Sequence, residues 1–198
     1  AFLFLLAWTA QGAVTYFGSA TNPANNTALA GPGPIAVTPP ASMLDGDLVV
    51  MIGTYKANAT VISVSATGGQ SWHTLAAIEP STNLTGRVFW TRFNGTWSAN
   101  PSISIPSGTL ALSVVMHVFR PTAGTRYWGV DVAQTELDGA APSTPFTMTL
   151  TGRTTVQSNT VTLAAWMTSD DNTYGSLTGT GWVVTGGAQY RNLQGTDT

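Results

Sequence analysis

His73 and His117 are the only histidines, and the chain contains no cysteine. The missing thiols remove disulfides, thiolate zinc sites, iron–sulfur clusters and cysteine nucleophiles together. Both histidines fall in period-two segments with no carboxylate recurring at ligand spacing, so both read as packed or hydrogen-bonded side chains. Nothing like Gly-x-Ser-x-Gly marks a serine nucleophile. Two acidic turns, Asp45-Gly46-Asp47 and Asp170-Asp171-Asn172, offer oxygens to calcium, yet neither has a spaced bidentate Glu nearby. Turn chemistry explains them better. Glu136 and Asp138 have the types of a glycosidase acid pair, and nothing else in the sequence supports that use. The expectation is a protein that is not an enzyme, with no metal and no cofactor.

Other residues suggest binding. Four Asn-x-Ser/Thr sequons begin at Asn25, Asn58, Asn83 and Asn94, all at expected turns, where a glycan fits in an archaeal or eukaryotic product. The aromatic residues read first as core. Their alternative use is to stack on sugar rings, with Trp72, Trp97, Trp128 and Tyr174 as platforms.

Composition sets the frame for these residues. The chain has 198 residues, room for one full-sized domain with a real core. Charged residues make up 8%, against roughly 25% in an average soluble domain. Lys56 is the only lysine, while Ser and Thr together number 47. The surface is therefore rich in hydroxyls and amides. A net charge of -2 leaves no basic stripe for phosphates, which excludes nucleic acid as a partner. Few lysines with much Thr, Asn and Gly suit an extracellular or cell-surface protein, or a virion appendage.

Most of the chain alternates in short runs rich in Val, Ile, Thr and aromatics. Strands are expected over 14–18, 35–38, 47–55, 60–66, 72–79, 85–93, 102–105, 109–120, 128–134, 146–151, 159–168, 182–184 and 188–192. Gly, Pro, Asn and Asp clusters separate them, and no window shows a capped helical stripe. This is an all-β pattern. The strand through 110–119 is apolar on both faces, which places it in a sheet covered on both sides or at a subunit interface. A weak repeat relates Asp47–Trp72 to Asn159–Trp182. The first half continues into an aromatic strand at 87–93, whereas no equivalent follows the second, so the sandwich is expected to lack one strand.

Residues 1–8, Ala-Phe-Leu-Phe-Leu-Leu-Ala-Trp, are the most apolar run. They are too few to span a bilayer. Without an initiator Met or a basic leader they read as an ordered strand rather than a signal peptide.

Several segments resemble a jelly-roll domain common in bacteriophage tail and appendage proteins and in secreted bacterial surface proteins. They are Val14-Thr15-Tyr16-Phe17-Gly18-Ser19-Ala20, Asp45-Gly46-Asp47-Leu48-Val49-Val50, Gln70-Ser71-Trp72-His73-Thr74-Leu75, Val88-Phe89-Trp90-Thr91-Arg92 and Val115-Met116-His117-Val118-Phe119-Arg120. The resemblance covers about residues 13–195 and implies a β-sandwich with a structural or carbohydrate-facing role and no shared catalytic residues. A sandwich short of one strand needs something to fill its groove. The apolar first strand is similar to the donor strands of chaperone–usher pili and archaeal surface filaments.

The expected organisation is a donor strand in residues 1–12 and a jelly-roll sandwich in 13–198. Phe2, Leu3, Phe4, Leu5, Leu6 and Trp8 would form the donor. Leu110, Leu112, Val114, Met116 and Val118, with the segment 188–192, would wall the acceptor groove. The expected partner is the protein itself, as a head-to-tail surface homopolymer, with glycans or a host surface beyond it and no membrane span. The alternative is a carbohydrate-binding module of a phage appendage or cell surface.

Overall fold

Alternating β-branched and aromatic residues favour a pleated, half-buried backbone, and the chain folds accordingly. The computed structural model describes residues 2–9, 13–22, 29–30, 34–55, 62–65, 67–76, 78–81, 84–104, 111–122, 127–138 and 154–167. In chain order the strands are β1 (Phe2–Thr9), β2 (Val14–Asn22), β3 (Leu29–Ala30), β4 (Ile35–Ala36), β5 (Leu48–Tyr55), β6 (Ser63–Val64) and β7 (His73–Thr74). They continue as β8 (Ile78–Ser81), β9 (Leu84–Arg92), β10 (Ser102–Ser104), β11 (Ala111–Pro121), β12 (Gly129–Asp138) and β13 (Thr160–Met167). One 3-10 turn, Thr67–Gly69, interrupts them. The protein is all-β with antiparallel pairing. The expected strands at 146–151, 182–184 and 188–192 lie outside the described residues.

Three sheets form. The largest runs β2-β11-β5-β9-β7, with β3 also pairing β11 and β8 also pairing β9. The second has the order β4-β10-β6 and the third β12-β1-β13. Strand periodicity sends alternate residues of the large sheet to opposite faces. Val49, Met51, Phe89, Val114, Met116 and Val118 pack on one face with Ile35, Ile62 and Ile103 of the β4-β10-β6 layer. Leu48, Val50, Ile52, Val88, Trp90 and Phe119 pack on the other with Val161 and Leu163 of β13. A sheet covered on both faces needs strands that are apolar throughout, which accounts for β5, β9 and β11. Gly53 lets the layers close, because a Cβ there would sit 3.0 Å from Ile103 Cδ1.

The expected strand 72–79 is two strands instead. His73 pairs with Trp90 and Thr74 with Phe89, but Ile78 pairs with Gly86. The register to β9 therefore shifts by one residue between β7 and β8; Leu75, which donates to Val88 O and still follows the β7 register, packs on the core.

The turn Asp45-Gly46-Asp47 ties four strands together. Arg120 Nε and Nη2 donate to Asp47 Oδ1 and Oδ2 at 2.9 and 2.8 Å. Arg92 grips both oxygens of Asp45 at 2.8 and 3.1 Å. Gly46 N–H donates to Phe93 O, and Trp128 Nε1 donates to Gly46 O at 2.9 Å. Arg120 also lies 3.7 Å over the Phe17 ring, a cation–π contact.

Candidate functional site

The β1 slot is the first candidate. β1 is the middle strand of its sheet, and among the described residues β12 and β13 each pair with it and not with each other, while Asp131 of β12 also accepts from the N–H groups of Val156 and Gln157 just ahead of β13. Residues Phe2 to Thr9 pair without interruption to β13, from Phe2 opposite Met167 to Thr9 opposite Thr160. The other edge pairs to β12, from Phe2 opposite Asp138 to Thr9 opposite Gly129, with a bulge around Ala7. Residues directly opposite in antiparallel register share a face of the sheet. Phe4, Leu6 and Trp8 stand opposite Ala165, Leu163 and Val161, the residues of β13 that belong to or pack against the core.

The expected acceptor strand lies elsewhere. β11 is bordered by β2 and β3 on one side and β5 on the other, and it makes no pairing with β1. Val114, Met116 and Val118 point to the opposite core, with the β4-β10-β6 layer. Leu110 and the segment 188–192 lie outside the described residues, and Leu112 is placed only as a register partner of Tyr55 and Leu29. The sequence signal used for β11 was apolarity on both faces. That signal reports coverage by two layers, and the same property fits a groove wall equally well. The strands that hold β1 are β12, whose Asp131, Gln134 and Glu136 interrupt its apolarity, and β13.

The remaining expectations sort by location. Asp45 and Asp47 spend their oxygens on arginines, and among the described residues no group of three His, Asp or Glu could hold a metal. Asp170 and Asp171 lie outside the described residues. Glu136 and Asp138 are in β12, where the jelly-roll resemblance implies a loop. Asn25, Asn58 and Asn83 lie outside the described residues. Asn94 Nδ2, the atom a glycan would take, donates to Gly68 O at 2.9 Å, while its Oδ1 accepts from Gln70 Nε2 and from Thr96 N–H. A glycan there would replace one of the two Nδ2 hydrogens and leave the other for the bond to Gly68.

The two histidines separate. His117 is buried beside Tyr16 and Phe119, and its pKa is pushed down to about 4 by desolvation. His73 is exposed on β7 and stacks on Trp90, ring centroids 4.2 Å apart at 18°. The expected sugar platforms are mostly committed to packing. Trp128 is 8% exposed. Trp72 and Trp97 are half-buried, stacked with each other, and Trp97 also stacks on Phe93 at 4.8 Å. Their indole nitrogens are buried with no acceptor among the described residues. Tyr174 lies outside the described residues. Among the described residues the exposed Phe, Tyr or Trp is Tyr127, at 75%, on the rim of a cleft whose other walls include His73, Trp90 and Arg92. Tyr127 was missed because the neighbouring Trp128 gave the stronger sequence signal.

No family model, curated protein or solved structure matches the chain. Among the described residues no helix is long and apolar enough to cross a membrane.

Proposed function

We propose that this protein is a non-enzymatic structural subunit, a jelly-roll-type sandwich that assembles head to tail outside the cell by lending β1 to a neighbouring copy. One observation carries the reading: among the described residues, the backbone pairing between β12 and β13 runs through a strand separated from them by more than a hundred residues of chain. Removing β1 leaves two unpaired backbone edges flanking an apolar floor, the situation that strand addition relieves. A second copy of β1 carries the same eight residues and satisfies the same register. Only four residues, 10–13, connect β1 to β2, so β1 moves with little other chain. Exchange between copies is heterologous, and a heterologous contact that does not close into a ring propagates as a filament.

The short connection gives pairing within one chain an effective concentration on the order of millimolar. Polymer is therefore favoured when chains fold at high concentration, before each slot is filled by its own β1. Electron microscopy of the full chain, refolded at high concentration beside a version lacking residues 1–10, tests this. Fibres from the full chain only are expected. Compact particles from both would return β1 to a purely internal strand.

A further inference from the structure

We propose that the cleft at the end of β9 binds one neutral pyranose ring of a glycan, with Tyr127 as the stacking platform. Its volume is about 200 Å³, below the size usual for drug-like ligands and suited to a single six-membered ring. Trp90 and Trp128 are buried at its floor. Trp128 is held from below by its bond to Gly46 O, and Trp90 is covered by the His73 ring. Thr91 Oγ1 donates to Ser71 O at 3.0 Å, which fixes the wall between β9 and the segment leading into β7. The cleft is therefore built on sheet residues and exists before any ligand arrives.

Charge decides what enters. Arg92 lines the cleft, but its guanidinium is balanced by the Asp45 carboxylate, which is 61% exposed. A phosphate or acidic sugar approaching Arg92 meets that carboxylate as well, and the chain carries a net charge of -2. A neutral polyol meets donors and acceptors side by side, on Arg92, His73, Ser71 and the Tyr127 hydroxyl. An aromatic ligand would cover Tyr127 yet leave the polar rim without partners. A pyranose matches both surfaces, since its C–H face suits the tyrosine ring and its hydroxyl edge suits the rim. Binding here requires no assembly, because every residue named comes from one chain and none belongs to β1.

The test is titration of the full chain with neutral oligosaccharides of glucose, mannose, galactose and N-acetylglucosamine, read by tryptophan fluorescence and calorimetry. Sialyllactose and adenosine serve as the anionic and aromatic probes. Saturable binding of a neutral sugar is expected, weakened about tenfold by Tyr127→Ala and within twofold of the parent for Tyr127→Phe. Thermal unfolding of both variants should match the parent, since the ring lies in solvent. His73→Ala should weaken binding by a smaller factor. The proposal is overturned if no neutral sugar saturates the protein, if sialyllactose or adenosine binds tighter, or if Tyr127→Ala binds as the parent does.

Discussion

Asp47 is 1% exposed and shares both carboxylate oxygens with Arg120, while Oδ2 also accepts from Leu44 N–H. Removing one member of such a pair strands the other. Because Arg120 is a quarter exposed, Asp47→Ala is expected to cost about 3 kcal/mol in urea unfolding, the low end for a buried pair. Asp45→Ala should cost far less, since its pair with Arg92 lies in solvent. His117 supplies a pH dependence. Its folded pKa near 4 lies below the ordinary 6.5, so below pH 6.5 the unfolded chain takes up a proton that the folded chain refuses. Stability from this residue is complete above pH 6.5 and falls as pH drops toward 4. Between pH 7.5 and 4.5 the loss should be about 2 kcal/mol, and His117→Leu should abolish it. Asp45 stays ionised throughout that range, its pKa lowered chiefly by the hydrogen bond from Arg92.

At the scale of elements, the 3-10 turn and the β1 slot make separate predictions. Gly68 has φ of +66°, and a Cβ there would lie 2.2 Å from Thr96 O. Gly68→Ala should therefore destabilise by about 2 kcal/mol or more, seen as a lowered thermal midpoint. Around it Gln70, Asn94 and Thr96 form one hydrogen-bonded group, so the damage should spread to the loop 94–98. Deleting residues 1–10 should raise amide exchange in β12 and β13 while leaving β5 and β9 protected. Adding a peptide of residues 1–10 should restore that protection. If β12 and β13 stay protected without β1, the slot is not held open by that strand, and strand exchange loses its basis.

For the whole molecule, the large sheet is covered on both faces, and its central strands have the fewest routes to water. Native-state exchange should be slowest in β5 and β9, intermediate in β13, and fastest in β4, β6 and β10, which are two or three residues long. Equal rates in all three layers would mean that they open as one unit. Assembly belongs to this scale too, since the same eight β1 residues satisfy the slot from within one chain or from another.

Local pattern was enough to read the class and most strands. Short runs rich in β-branched and aromatic residues at β2, β5, β9, β11 and β13 fit the pleat, which each segment obeys independently of its neighbours. The turn at Asp45-Gly46-Asp47 was legible for the same reason, as was the two-sided covering of β11 in its lack of polar residues. Which strands meet was not legible. Pairing depends on contacts between segments far apart in sequence, and apolar side chains carry no address for a particular partner. So only the tertiary structure set β1 between β12 and β13 rather than beside β11. It gave the two aspartates to arginines rather than to a metal. It buried Trp128 and left Tyr127 in water, because the layer beneath decides which of these two neighbours, just ahead of β12, is covered.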